Sequence, residues 1–514
     1  MSRLESVIGM LAPGWSASRE EARARVERAK AKSERSRTLQ QLFRAQYDMA
    51  KRRRADEGWL TPPTSANAEV APAMVVTRNR ARDLVRNNPY AARIVDVWVA
   101  HIVGDGITAA WLDKDGNVDE VRQAAWLAWA ESKEADADGE LDFYGIQQLA
   151  VRSMVESGEV IVRKRVRRLT DGLTVPLQLQ LLESDQLDHC KNAALPNGGR
   201  IVMGIQFNAL GKREGYWVYK THPGDTYTSS LLPTDSVFIP ADQIGHLYRK
   251  RRPGQVRGIS WLSAVGNTLK DNGDLDDAVI MKAKIESCLV GAIITDDDEN
   301  GTGVGDKETG TDSDGNPYEL QTMEPGTWQR LRPGEDVKFG QPSSSGGYDS
   351  YKRKIEQNIA VGAGLTYDQV TGDLSQANFA SLRAGKIEFR RDLSQIQWQV
   401  VIPMLCEPMA EAFNQMGIAA GLWRDDDVRA TWMPPRNEPI DPVKDTAAEA
   451  SDMDNLLEPW SATVRKRGHD PRTLAKQLKA DNELLAEHGL QRVVAGSAPP
   501  APQPNEEPAN VQAE

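Results

Sequence analysis

Residues 348–417 read YDSYKRKIEQNIAVGAGLTYDQVTGDLSQANFASLRAGKIEFRRDLSQIQWQVVIPMLCEPMAEAFNQMG, and their pattern decides the architecture: helix, irregular loop, long helix. Tyr351, Ile355 and Ile359 recur every fourth residue, one narrow apolar stripe on the first helix. Gly362 and Gly364 end it, because glycine tolerates the backbone a helix stop requires. The loop 365–378 holds only Leu365, Val370 and Leu374 as aliphatic residues, so it need not bury itself. Asn378 is placed to cap the second helix, which has no Gly or Pro from Lys386 to Ile402. Arg383, Lys386 and Arg390 share one of its faces, and Phe389, Leu393, Ile396 and Val400 another. Pro403 and Pro408 are expected to kink its far half.

Working outward, residues 1–54 carry 14 Lys/Arg against 6 Asp/Glu, a basic arm read mainly as a solvated helix over 17–50. Residues 61–73, TPPTSANAEVAPA, are a linker by composition. An amphipathic helix follows over 78–103, divided at Pro89, and further helices surround Trp126 and residues 143–156. From 157 to 250 the period becomes two, in VIVRKRV, VPLQLQLL, GRIVMGIQF, GYWVYKT and IGHLYRK, an antiparallel module flanked by helices. The fold class is therefore α+β. Leu262, Val265 and Leu269 mark a helix over 258–290, with a bend allowed at Asn272-Gly273. Residues 291–347 then hold 12 Asp/Glu against 4 Lys/Arg, with short strands flanking a mobile hairpin tip. Residues 421–445 read as an irregular connection. Two or three small helices over 446–488 turn Leu456, Leu457, Leu474, Leu478, Leu484 and Leu485 inward. Residues 491–514 read as a disordered tail.

The chain has 514 residues, enough for two to four domains, and no apolar run long enough to span a membrane. Three scattered cysteines, Cys190, Cys288 and Cys406, fit a reducing compartment. The net charge of −11 has the wrong sign for a protein that grips nucleic acid overall. The acidic stretches 113–120 and 312–317 lack the glycine an EF-hand loop requires, so turns are expected there. His189 beside Cys190 has no second ligand at metal spacing. No phosphate loop, HExxH or GxSxG motif occurs, and the acidic residues form no two-metal nuclease constellation. No cofactor, metal or catalytic residue is expected.

The block GDLSQANFASLRAGKIEFRR, 372–391, resembles the most characteristic segment of the lambda-type phage portal proteins, although Thr366 and Phe379 stand where that family has proline and tyrosine. The resemblance continues through RNRARDLVRNNPYAARIVDVWVAHIVGDGI (78–107), ESGEVIVRKR (156–165), HLYRKRRPGQVRGISWLSAV (246–265) and WMPPRNEPIDPVKDTAAEA (432–450), in the family's order. It implies a portal fold. After the arm 1–60 would come a wing over 61–257 and a stem of 258–290 with 348–365, enclosing a clip at 291–347. A tunnel loop at 366–378, a long wing helix at 379–420 and a crown at 421–490 would follow. It further implies a homo-oligomeric ring of about twelve copies at one capsid vertex, which passes double-stranded DNA without reading its sequence. The large terminase subunit, head-tail connector or adaptor proteins, and the major capsid or scaffold protein are the implied partners. Assembly would take place in the host cytoplasm and the finished protein would reside in the virion.

On that reading Gly372, Asp373, Ser375, Gln376 and Asn378 are the channel-facing residues. Tyr351, Ile355 and Ile359 pack the stem, and Asp296, Asp297 and Asp298 face a basic partner through the clip. Arg383, Lys386 and Arg390 would meet carboxylates of the neighbouring subunit in preference to DNA, since ring contacts bury more helix surface than a lumen does. The alternatives are a capsid-assembly nuclease or protease, which a magnesium-dependent nuclease assay would reveal, and a monomeric head-completion adaptor.

Overall fold

The computed structural model describes residues 13–44, 61–225, 235–288, 292–294, 308–311, 317–320, 329–331, 347–375, 378–424, 427–436 and 441–490. The chain divides into two units, 1–64 and 65–514. The first contains one long helix, α1 (Pro13–Arg44), whose described side chains are exposed, as a solvated charged helix requires.

The second unit opens with α2 (Ala66–Asn87), capped by the Ser65 side chain. The linker expected over 61–73 is thus in large part helix. Pro72 removes one backbone donor but not the helix, because Val70 and Met74, one turn apart, bury a face there. Asn88 ends α2 and its side chain caps α3 (Pro89–Ile102), so the chain does divide at Pro89. β1 (Thr108–Leu112), α4 (Glu120–Ala130) and α5 (Phe143–Ser157) follow. Between β1 and α4, Gly116 donates to the Asp113 carbonyl in the tight turn expected at 113–120.

The period-two region forms two sheets. β2 (Glu159–Val166) lies between β3 (Leu177–Glu183) and β9 (Ile244–Tyr248), all antiparallel. β4 (Ala193–Ala194), β5 (Arg200–Val202), β6 (Ile205–Phe207), β7 (Arg213–Tyr219) and β8 (Ser236–Pro240) form a five-stranded meander in chain order. GRIVMGIQF is therefore a hairpin and not one strand. Met203 and Gly204 both take positive φ at its tip, the geometry of a two-residue turn.

α6 (Gly266–Cys288) runs through Asn272-Gly273 without a break, and Asn272 is fully buried. In the acidic segment, β10 (Ala292–Ile294) pairs in parallel with β13 (Gln329–Leu331), and β11 (Glu308–Thr311) with β12 (Pro317–Leu320) as a hairpin. Asp296, Asp297 and Asp298 lie outside the described residues, as does the tail 491–514. α7 (Tyr348–Ala363), α8 (Tyr367–Thr371) and α9 (Phe379–Ile396) come next. The helix continues as a π segment over Gln397–Cys406 and as α10 (Glu407–Ala419). Pro403 has no N–H to give, and the ladder widens around it instead of stopping.

The connection at 421–445 is not irregular throughout: β14 (Arg429–Met433) pairs with β1, more than 300 residues earlier. It delivers Trp432 to an aromatic cluster with Trp111, Trp126, Trp129, Phe143 and Phe413, in which Trp126 and Phe413 meet edge-on at 5.0 Å. α11 (Pro442–Asp454), α12 (Trp460–Lys466) and α13 (Pro471–Glu487) close the described chain. Their leucines do not all turn inward. Leu456 is 91% exposed, and Leu457 and Leu484 are exposed too, because three short helices enclose too little volume to cover them.

β2 separates two cores. Val160 and Val162 enter the helical core, and Ile161 between them enters a second core against the five-stranded sheet. At the start of β2 sits a buried charge cluster. Glu159 accepts from Arg257 Nε at 2.8 Å, from the Gly258 amide at 2.8 Å and from His246 Nε2 at 3.0 Å. His246 Nδ1 in turn accepts from Arg213 at 2.9 Å, which fixes the neutral tautomer with its proton on Nε2. Two close backbone approaches make room for this. Gly158 has φ 96° and its missing Cβ would stand 2.3 Å from the Ile259 carbonyl carbon, while that of Gly258 would stand 2.0 Å from the Gly158 oxygen.

Burial, opposed by the Glu159 hydrogen bond, pulls His246 down to about 4. A group depressed in the folded state stabilises above its unfolded pKa, near 6.5, and loses that stability as pH falls towards 4. Unfolding free energy measured by denaturant titration should therefore drop between pH 6.5 and 4, by up to about 3 kcal/mol from this residue. His246→Asn should flatten that part of the profile. An unchanged slope in the variant would place the pH sensitivity elsewhere.

Candidate functional site

The loop expected at 366–378 is anchored at its start and exposed at its tip. Thr366 and Gln369 form a capping box around α8, so the first third of the loop is helix and not irregular chain. Val370 is buried beneath it, and Arg93 Nε of α3 donates to the Gln369 carbonyl at 3.1 Å. Trp98 Nε1 donates to the Ala363 carbonyl at 3.1 Å just before it. Gly372 then ends α8 with φ 73° and open space around its Cα. Beyond it Leu374 and Ser375 are exposed, Gln376 lies outside the described residues, and Asn378 caps the Ala380 amide at 3.0 Å.

The loop is tied to the helices by one buried carboxylate. Glu356 of α7 accepts from Tyr90 of α3 at 2.8 Å and from Tyr367 of α8 at 3.2 Å. Tyr367 also reaches Asp373 at 3.4 Å, and the Arg353 guanidinium lies over its ring at 5.1 Å. Burial and the Glu356 hydrogen bond push the Tyr90 hydroxyl well above the ordinary tyrosine range, so it stays a donor. Hydrogen bonds from Ser375 hold the Asp373 carboxyl below its usual range, which keeps the tip anionic. Toward the acidic segment, Asp276 of α6 pairs with Lys352 and accepts from Tyr348 of α7 at 2.6 Å, joining the two helices. That bond pushes the Tyr348 hydroxyl up to about 12.

The three stripe residues part company. Ile359 is fully buried and Ile355 packs partly against the helical core, but Tyr351 is 59% exposed. Phe389, Leu393 and Ile396 are buried as the pattern of α9 requires. On its opposite face Arg383 is engaged by Asp445 of its own chain at 3.3 Å. Burial lowers the pKa of His101, helped by Lys386, Arg93 and Arg390, so these cations gather where α3 meets α9. Sequence reasoning missed Glu356, Tyr90 and Arg93, since no local spacing connects α3 with α7.

No catalytic arrangement emerges among the described residues. Among the described residues the one group with metal-ligand chemistry is Glu183, Asp185 and His222. Arg82 already sits on both carboxylates, at 2.6 and 2.8 Å, and Arg78 on Asp185 at 2.7 Å. Cationic side chains thus occupy the place of an ion. His189 and Cys190 touch at 3.4 Å near an exposed surface. No described helix is long and apolar enough to cross a membrane.

What the geometry defines is a mixed helix and sheet scaffold that holds out a polar, anionic loop rather than a reaction centre. The family model for the phage portal protein, lambda family, matches residues 52–397, and the chain belongs to that family. It is 26% identical over 462 residues to a probable portal protein of Halomonas phage phiHAP-1, covering 86% of this chain and 87% of the relative. It is 22% identical over 492 residues both to the portal protein of Escherichia phage N15 and to portal protein B of Escherichia phage lambda, covering 86% and 89%. Among solved structures, chains from the neck of an empty gene transfer agent particle and of a native one computed with C12 symmetry are similar at TM-score 0.39. Their identities are 15% and 16%, covering 76% of this chain and 94% of each neighbour. Membership in that family gives the protein a structural portal role, and not that of an enzyme.

The anchoring predicts a local effect. Tyr367→Phe removes both bonds of the hydroxyl and should cost about 1 kcal/mol of overall stability. Hydrogen exchange at the amides of Asp373 and Ser375 should quicken severalfold while the β2 amides keep their protection. Equal exchange in variant and parent would show that Glu356 does not restrain the loop.

Proposed function

We propose that twelve copies of this chain close into a ring at one capsid vertex and that duplex DNA passes through it during packaging and ejection. The membership in the lambda portal family over 52–397 carries this reading. In it, α6 and α7 are the stem, 291–347 is the clip, 366–378 is the tunnel loop, and residues 421–490 are the crown. Tyr351, exposed beside the half-buried Ile355 and the buried Ile359, is the stem side chain left for a neighbouring subunit. The clip, through Asp296, Asp297 and Asp298, faces a basic surface of the large terminase or of the connector proteins, and the wing meets the capsid or scaffold protein. Charge steers such encounters in a salt-dependent way.

The chemistry of the loop supports the channel assignment. DNA must slide, so strong phosphate contacts would act as a fault. A protein that neutralises six to ten phosphates loses about 10³ to 10⁵ in affinity over a modest rise in salt. Asp373 is held anionic, Ser375 is short and polar, and the net charge of the chain is −11, all of which favour weak contact. Arg383 is already engaged by Asp445 of its own chain, which takes that cation of α9 away from the lumen and the next subunit.

Ser375→Arg with Gln376→Arg would place about 24 added cations around a twelve-fold ring. Rings and proheads should assemble normally, seen by negative-stain imaging, while packaging measured by DNase protection slows at low salt and recovers partly as salt rises. Packaging at the parental rate at every salt concentration would remove 372–378 from the channel.

A further inference from the structure

A cleft of about 440 Å³ lies where the five-stranded sheet, the segment after β9 and the start of α2 meet. Three cations line it: Arg200 of β5, Arg213 of β7 and Lys250. No acidic residue does. Phe207, Val202 and Val256 provide its apolar wall, and Arg200 leans over the Phe207 ring at 5.9 Å. The far wall is fixed by Asn67, which donates to the Gly254 carbonyl at 2.9 Å and accepts from the Val256 amide at 3.0 Å.

The charges here are not balanced from within. Among the described residues Arg200 and Lys250 have no ion-pair partner, and both are exposed. The four Nη hydrogens of Arg213 go to neutral acceptors: the hydroxyls of Tyr216 and Tyr248, His246 Nδ1 and the Val256 carbonyl. Beneath it Glu159 is paired with Arg257 and His246 is neutral, so the charge of Arg213 is not cancelled from below. A half-buried arginine held rigidly by neutral groups keeps its field directed into the cleft. In a chain of net charge −11 this is a local reversal of sign.

The geometry points to a receptor for a carboxylate side chain: the cleft between Arg200, Arg213 and Lys250 accepts an aspartate or glutamate presented by an acidic polypeptide segment. Charge complementarity names the anion, and shape names its carrier. The volume lies near the lower end of ligand pockets, ~300–1,000 Å³, which suits one acidic side chain with its flanking backbone. A duplex is too wide to bring a phosphate to the floor, so it would meet only the rim. The planar fork of Arg200 suits a carboxylate, with Arg213 and Lys250 adding their charge, and the apolar wall takes the aliphatic part of the incoming residue.

The test uses the full-length chain and a fluorescein-labelled peptide of the sequence TDDDEN, that of residues 295–300, followed by fluorescence anisotropy. Arg200→Gln and Lys250→Gln, both at exposed positions, should each weaken binding about threefold to fivefold while the unfolding midpoint stays at the parental value. Arg86→Gln with Lys114→Gln, which removes two cations that do not line the cleft, should leave binding unchanged. The amide peptide TNNNQN should not bind. Absence of TDDDEN binding, an equal loss in the Arg86/Lys114 variant, or short duplex DNA that binds more tightly and is lost in the same two cleft variants would each overturn the assignment.

Discussion

A single carboxylate organises the body of this protein. Glu159 stands at the first position of β2, almost wholly buried, between Arg257, His246 and the Gly258 amide. A buried carboxylate is tolerated only where its hydrogen bonds are complete, and leaving one partner of such a pair alone costs about 3–5 kcal/mol. The contact draws together the segments 156–165 and 246–265, and Gly158 and Gly258 let their backbones meet where no side chain would fit. With β2 held there, its odd and even residues feed two different cores. The two cores on either side of β2 are in this sense built outward from one ion pair.

The same economy holds at the loop. Glu356 gathers Tyr90 and Tyr367, so α3, α7 and α8 share one acceptor. Before Gly372 the chain is anchored through Val370, Gln369 and Tyr367, and after it Leu374 and Ser375 are exposed. In the proposed channel, a firm base with an exposed, anionic tip would suit a part that stays close to a moving polyanion without seizing it. The aromatic cluster around Trp126 performs the complementary task, binding β14 to the helical core.

The sequence made the long amphipathic helices legible because burial repeats every three or four residues within them, as with Phe389, Leu393 and Ile396. It concealed what depends on distant partners. RATWM gives little strand signal, and β14 exists because β1 offers it an edge. Residues 61–73 have the composition of a linker, yet Val70 and Met74 find a core that holds the helix across Pro72. Leu474, Leu478 and Leu485 are half-buried but Leu484 is exposed, since periodicity tells which residues share a face and not whether anything covers it. At the candidate site Asn378 was readable as a cap, while Glu356, Tyr90 and the Arg383–Asp445 pair arise only from the fold.

The central claim is that this scaffold closes into a ring with the segment after Gly372 at its narrowest point. Cryo-electron microscopy of the purified, assembled protein tests it directly. The account predicts a closed twelve-fold ring in which residues 372–378 lie at the smallest radius and Tyr351 is covered by the neighbouring subunit. A ring with that segment on its outer wall, or a particle that remains monomeric at high concentration, would contradict it.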